Sequence, residues 1–262
     1  MNLYLLKAFL KFHRRRAKFT RKQLEELFAT ISDNKFCTLP LNNFRKIKDS
    51  TRVLIGLRFD VDIDCFKSLK LAQIASLYGI YGTFCFLSTA WYAGKIKKDR
   101  LHRNNLDWLY RAVYELGNEI GIHNDLLTVQ IKHKLNPLEY NYQELEYFAG
   151  LNIPIYGTAS HGSKLAKELG ISNFDIFYDF AKTKLTYPYN GIEYPIGRNT
   201  LKEFGYQYES YHLDHTMYIS DANGKFRIDG KIVSFDQVIC KLKTAEKGTR
   251  IQLLIHPEHY RI

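Results

Sequence analysis

The chain reads as an α/β protein built on a mainly parallel sheet, and three observations support that class. Short apolar runs that suit buried strands recur at Val53–Phe59, Tyr81–Leu87, Glu119–Ile122 and Ile251–Ile255. Segments with helical apolar spacing alternate with them, which is the rhythm of strand–helix–strand units. Several of these segments end at a glycine (Gly79, Gly117, Gly150), the residue that most easily adopts the positive φ of a helix stop. At 262 residues with 45% apolar content, one substantial core is affordable.

Taken in order, Arg21 to Ile31 predicts a short helix with Leu24, Leu27 and Phe28 on its apolar side. Phe36 to Leu41 reads as extended and Asn42 to Ile47 as a turn or helix. Val53–Phe59 is the first strand of the βα series, and Phe66–Tyr78 its helix. Tyr81–Leu87 is followed by a helix over Asn105–Leu116, then a strand over Glu119–Ile122 and a helix over Pro137–Phe148. Ile153–Gly157 and Phe174–Tyr178 read as strands around a short helix at Ser163–Leu169. Residues 180–215 are rich in Tyr, Pro, Asn and Gly and read as long irregular loops. Met217–Ile219 is extended, Phe235–Leu242 helical, and Ile251–Ile255 the last strand.

The net charge of +11 is concentrated at one end. Residues 1–22 hold eight basic side chains and no acidic one, so the rest of the chain is close to neutral. On a helix, Lys7, Lys11, Arg14, Arg15, Lys18 and Lys22 would share one side, with Leu5, Phe9, Phe12 and Phe19 opposite. Such an arm suits an anionic membrane surface, or its apolar side docks on the protein's own body. No nucleic-acid partner is expected, because no recognition module accompanies the charge. No apolar run reaches the roughly 18 residues of a membrane span. Lys7 and Lys11, followed by Arg14 to Arg16, give the wrong charge order for a secretory signal. Cys37, Cys65, Cys85 and Cys240 are scattered, which fits a reducing compartment. The expected location is therefore cytoplasmic, with a peripheral place at the inner membrane face through residues 1–22.

The most informative stretch is Leu57-Arg58-Phe59-Asp60-Val61-Asp62, where two carboxylates close an apolar strand. Unpaired burial of a charge costs several kcal/mol or more, so the pair belongs at a strand end facing solvent, a metal or a substrate. The ends of the other apolar strands carry His123, His161, Asp221 and His256. In parallel α/β architectures these ends gather on one face, where sites are built. Any one histidine alone would more often be structural; the set points to a metal-centred site. Asp and His suit Zn²⁺ and related divalent ions, and three protein ligands leave a position at which bound water acidifies toward roughly pH 7.

A calcium loop at Asp60-x-Asp62-x-Asp64 fails, because Cys65 and Leu71 stand where it needs Gly and Glu. A glycosyltransferase D-x-D, holding a metal and a nucleotide sugar, is the alternative enzyme reading, although it gives no reason for the histidines. Asp221 either orients and charges His256 or forms an Asx turn before Asn223-Gly224. Arg58 either pairs with a carboxylate or binds an anionic sugar. Trp91, Tyr92, Tyr187 and Tyr189 lie where they could stack on sugar rings.

Phe59-Asp60-Val61-Asp62, Tyr81-Gly82-Thr83-Phe84-Cys85-Phe86, Gly117-Asn118-Glu119-Ile120-Gly121-Ile122-His123 and Leu253-Leu254-Ile255-His256-Pro257 together resemble the polysaccharide deacetylase (NodB-homology, carbohydrate esterase) family. The D-V-D, E-I-G-x-H, H-G, S-D and I-H-P series looks most like its divergent WbmS-like branch, associated with surface-polysaccharide biosynthesis. The resemblance covers residues 51–262 and leaves 1–50 as a basic extension and lead-in. It implies a distorted (β/α) barrel and metal-dependent removal of an acyl group, N-acetyl above all, from a sugar, oligosaccharide or lipid-linked glycan. Asp60 would then be the base, His256 the acid, and Asp62 and His123 metal ligands. Leu127 stands where the family has its second metal-binding histidine. His161 is the expected replacement, with Asp125 as the alternative third ligand. That departure also leaves a non-catalytic, glycan-binding member as a third reading.

Overall fold

A computed structural model describes residues 17–97, 100–181 and 186–262. The basic arm over residues 1–16 lies outside the described residues. Of the part of the 1–22 arm that is described, Phe19–Thr20 is a short strand, β1, paired in parallel with Tyr260–Arg261, and Arg21 and Lys22 open the following helix. Its Phe19 ring packs 4.3 Å from Phe226 and 5.3 Å from Tyr260. The helix starts only at Arg21, because Thr20 and Gln23 form a reciprocal capping box that sets the boundary.

That helix, α1 (Arg21–Ile31), buries Leu24, Leu27, Phe28 and Ile31, one face of a 3.6-residue repeat. The chain continues through β2 (Phe36–Leu39), α2 (Leu41–Phe44), β3 (Val53–Val61), α3 (Cys65–Leu77) and β4 (Thr83–Leu87). A hairpin, β5 (Gly94–Lys97) and β6 (Arg100–Arg103), precedes α4 (Asp107–Glu115), β7 (Glu119–Asn124), α5 (Leu126–Ile131) and α6 (Pro137–Gly150). Then come β8 (Gly157–Ser160), α7 (Lys164–Leu169), β9 (Thr186–Tyr189), β10 (Ile192–Pro195) and β11 (Tyr208–Glu209). The last elements are β12 (Met217–Ser220), β13 (Arg227–Ile228), β14 (Lys231–Ile232), α8 (Phe235–Thr244), β15 (Arg250–Ile255) and β16 (Tyr260–Arg261). A mainly parallel sheet of ten strands with helices makes this a mixed α/β protein. No helix of the described residues is long and apolar enough to cross a membrane.

Two compact units divide the chain. The first comprises the described residues of Met1–Phe86, Trp108–Ile120 and Asp214–Ile262. Within it, β3 pairs in parallel with β2, β4 and β15, and β15 with β12. Every residue of β3 is buried, as a strand covered on both faces requires. Gly79, at φ +65°, ends the turn after α3 in a left-handed conformation that a side chain would strain. The second unit comprises the described residues of Leu87–Asp107 and Gly121–Leu213. Here β8 pairs in parallel with β7 and β11. Gly157 is needed in β8, since an added Cβ would lie 2.1 Å from the Tyr208 ring.

Four sequence expectations shift. The strand expected over Ile153–Gly157 runs instead over Gly157–Ser160, as β8. Phe174–Tyr178 is not a strand: Asn173–Ile176 forms a 3₁₀ turn, closed where the Ser172 backbone N–H donates to Asp175 Oδ2 at 2.7 Å. The stretch 180–215 is less irregular than its composition suggests, because β9 and β10 form a hairpin around Asn190-Gly191. Both turn residues have positive φ, at 50° and 76°, the conformation that favours Asn-Gly. α6 runs through Gly150 instead of stopping there, and the left-handed residue is Asn152 at φ 59°.

Candidate metal centre

In the first unit, β3 sets one set of groups. Arg58 and Asp60 lie two residues apart on a strand and therefore share a face. Arg58 Nε donates to Asp60 Oδ1 at 2.8 Å and Nη2 to Oδ2 at 2.6 Å. Both side chains are buried, so this two-pronged pairing is what makes each charge tolerable there. Asp62 follows immediately after β3, with its side chain 22% exposed.

His256, just beyond the end of β15, is held from two sides by Asp221. Its Nδ1 lies 2.6 Å from Asp221 Oδ1, and its backbone N–H donates to both carboxylate oxygens at 3.1 and 3.0 Å. His259 Nδ1 lies 3.2 Å from the second oxygen. Burial opposes charge on His256, yet Asp221, with Asp62 and Asp60 further off, raises its pKa well above the usual imidazole value. Burial likewise works against the Asp221 charge, but the two imidazoles hold its carboxyl below the usual range. The free face of His256, Nε2, lies 4.0 Å from Asp62 Oδ2. Nearby Glu258 behaves oppositely: burial, then the Asp62 charge, pushes its carboxyl up to about 8.

In the second unit, His123 on β7 has its Nδ1 2.8 Å from the Ala159 carbonyl of β8. A carbonyl only accepts, so Nδ1 carries the proton and Nε2 presents a lone pair. His161 follows β8, and its Nδ1 lies 3.0 Å from His123 Nε2. Asn173 braces this arrangement. Its Nδ2 donates to the His161 carbonyl at 2.7 Å and to Asp125 Oδ1 at 3.0 Å, and its Oδ1 accepts the Leu127 N–H at 2.9 Å. Leu127 itself is fully buried in the core.

Asp62, His123 and His161 form a group that could hold a metal ion, each offering one ligand atom within 4.8 Å of the others. Asp125 is not part of it. The donors fit such an ion: two ligands about 2.0–2.1 Å from a tetrahedral centre sit about 3.3 Å apart, close to the 3.0 Å between the imidazole nitrogens. The Ala159 carbonyl supplies the outer hydrogen bond that would fix the His123 imidazole as a ligand. Asp221, His256 and His259 form a second group of the same compactness. There, Asp221 claims the His256 Nδ1 and stabilises the protonated ring, which repels a cation.

The aromatic expectation divides. Tyr92 is not on the rim: it is fully buried, and its hydroxyl accepts the Leu87 N–H at 2.7 Å. Trp91, Tyr187 and Tyr189 are partly exposed. Sequence reasoning missed Glu258, His259 and Asn173. The first two stand in Pro257-Glu258-His259, directly after the His256-Pro257 already singled out, so extending that motif by two residues would have found them. Nothing in the sequence marks Asn173. Compared with protein-family models, curated proteins and solved structures, the chain matches none.

Proposed function

We propose that the protein is a divalent-metal hydrolase that removes an acyl group, N-acetyl above all, from a sugar in glycan biosynthesis. The finer fold proposed with it is a distorted (β/α) barrel of the polysaccharide deacetylase type. The observation that carries the reading is the Asp62–His123–His161 group. Two imidazoles and one carboxylate are the donor set of hydrolytic zinc sites, and Zn²⁺ is the ion proposed.

Bound there, the ion supplies Lewis-acid polarisation of the acyl carbonyl and acidification of the attacking water. Asp60 takes the proton of that water. Its pairing with Arg58 keeps the carboxylate ionised and fixed in direction. His256, kept protonated by Asp221, delivers a proton to the leaving amine or alcohol. Base and acid thus come from different strands and carry opposite charge before reaction, as the proton inventory of hydrolysis requires.

The test separates the two aspartates. Asp60→Asn should retain one equivalent of metal but lose acetate release from an N-acetylated oligosaccharide. Asp62→Ala should lose the metal itself, measured by plasma emission spectrometry. Full activity in both variants ends the proposal.

A further inference from the structure

His123 lies near the end of β7, Asp125 follows that strand directly, and His161 follows β8. Asp125 and His161 both have the chemistry of a third ligand beside Asp62 and His123, so something in the second unit must decide between them. Asn173, fully buried in the 3₁₀ turn after α7, is hydrogen-bonded to both.

The His161 carbonyl only accepts, as does the ionised Asp125 carboxylate, and the Leu127 N–H only donates. An amide in a single orientation meets all three. Nδ2 gives an N–H to the His161 carbonyl at 2.7 Å and one to Asp125 Oδ1 at 3.0 Å, while Oδ1 takes the Leu127 N–H at 2.9 Å. Ionised aspartate at this position would have no proton to give, and glutamine is one methylene longer.

The consequence for Asp125 shows in α5. Asp125 is the N-cap residue of that helix, a place where aspartate ordinarily accepts a first-turn N–H. Its side chain makes no such bond. Asn173 takes the first-turn N–H of Leu127 in its stead, and the Asp125 carboxylate accepts from the Asn173 amide. The consequence for His161 is the complement. Its backbone N–H donates to the Asn124 carbonyl at 2.8 Å, and its carbonyl accepts from the Ser163 N–H as well as from Asn173. Held this way, its ring presents Nδ1 3.0 Å from His123 Nε2. One amide thus engages a carboxylate and anchors an imidazole.

We propose that Asn173 is a positioning residue that selects the ligand set, fixing His161 beside His123 and keeping Asp125 out of the group. This selection acts on the metal group of the proposed hydrolase and so rests on that reading. Its chemical consequence is metal preference: two imidazoles with one carboxylate suit Zn²⁺, whereas a second carboxylate in place of an imidazole suits harder ions such as Mn²⁺.

Titration calorimetry of Zn²⁺ and Mn²⁺ into the metal-stripped full chain tests it. Asn173→Ala should weaken Zn²⁺ binding about 10–100-fold but Mn²⁺ binding by less than about three-fold, because the released Asp125 serves the harder ion. Adding Asp125→Asn to that variant should remove the retained Mn²⁺ binding. Asp125→Asn alone should leave both affinities within a few-fold, since its amide oxygen still accepts from Asn173. A merely structural loosening would weaken both ions alike, and that outcome, or an unmoved Zn²⁺ affinity, overturns the selection. Should Asn173→Ala fail to fold, NMR of the unmutated protein decides. Zn²⁺ should shift the Asn173 side-chain amide signals and leave those of Asn118, a buried amide preceding β7, in place; unmoved Asn173 signals overturn the proposal. An unmutated protein that binds no Zn²⁺ ends the metal reading and the selection together, whereas Zn²⁺ binding with equal losses in Asn173→Ala ends the selection alone.

Discussion

His256 and His123 are the same side chain in opposite settings, and the partner behind each ring makes the difference. Behind His256 stands a buried carboxylate, Asp221, 2.6 Å from Nδ1. Behind His123 stands a neutral carbonyl, Ala159, at 2.8 Å from the equivalent nitrogen. A carboxylate stabilises the imidazolium and makes a proton holder. A carbonyl only orders the tautomer, leaving Nε2 as a ligand. The two regions also differ in what accompanies the ring: four carboxylates (Asp60, Asp62, Asp221 and Glu258) act on His256 or its neighbours, whereas His123 faces a second imidazole at 3.0 Å.

The comparison breaks most sharply at the ligand side. His161→Ala should reduce bound metal from one equivalent to below about a tenth, because a site of two remaining donors no longer encloses the ion. Asp125→Asn should leave metal content unchanged, since Asp125 serves the Asn173 brace. Equal metal loss in both variants, read by emission spectrometry after desalting, would move Asp125 into the ligand set.

On the proton-holding side, Asp221→Asn should lower the His256 pKa toward its ordinary value and reduce turnover about 10²–10⁴-fold. Because an acid must be protonated to act, the alkaline limb of the rate profile should move to lower pH. Histidine NMR titration reads the shift directly, and an unmoved His256 resonance would sever the pair. The sign for stability follows from the same two groups. The raised His256 contributes fully below its unfolded pKa of about 6.5 and is lost as pH climbs through the folded value. The lowered Asp221 contributes above its unfolded pKa of about 3.9 and is lost as pH falls through the folded value. The pair therefore supports the fold most between about pH 4 and 6.5.

How much of this was legible in the sequence depended on whether the signal was local. The α1 boundaries, β3 and the stops at Gly79 and Gly117 are written in caps, apolar runs and glycines, and they appear where those signals place them. The Asn190-Gly191 hairpin was equally local, but its two short strands were masked by the surrounding tyrosines and prolines. The 3₁₀ turn at Asn173–Ile176 was misread because Phe174, Ile176 and Tyr178 alternate like a strand, while Asp175 closes the turn onto Ser172. Site residues on strand ends could be assembled from the α/β rhythm. What chain order does not contain is the choice of partner: that Arg58 would take Asp60, or that Asn173 would claim Asp125, is decided by packing.

Glu258 sharpens the contrast between the two histidine regions on a smaller scale. Its carboxyl is pushed up from the ordinary 4.5 to about 8, by burial first and by the Asp62 charge second. Between those values the folded protein keeps a proton that the unfolded chain releases, so stability falls as pH rises through the window. Glutamine copies the protonated acid in shape and cannot ionise. Glu258→Gln should therefore leave the melting temperature at pH 5 nearly unchanged and raise stability at pH 8 by on the order of 2 kcal/mol, allowing for relaxation around the buried charge. The loss contributed by His256 over the same range should persist in that variant and vanish only with Asp221→Asn. If Glu258→Gln melts with the wild-type pH dependence from 5 to 8, the carboxyl is ionised in the folded protein, and the environment of His256 is more polar than its burial implies.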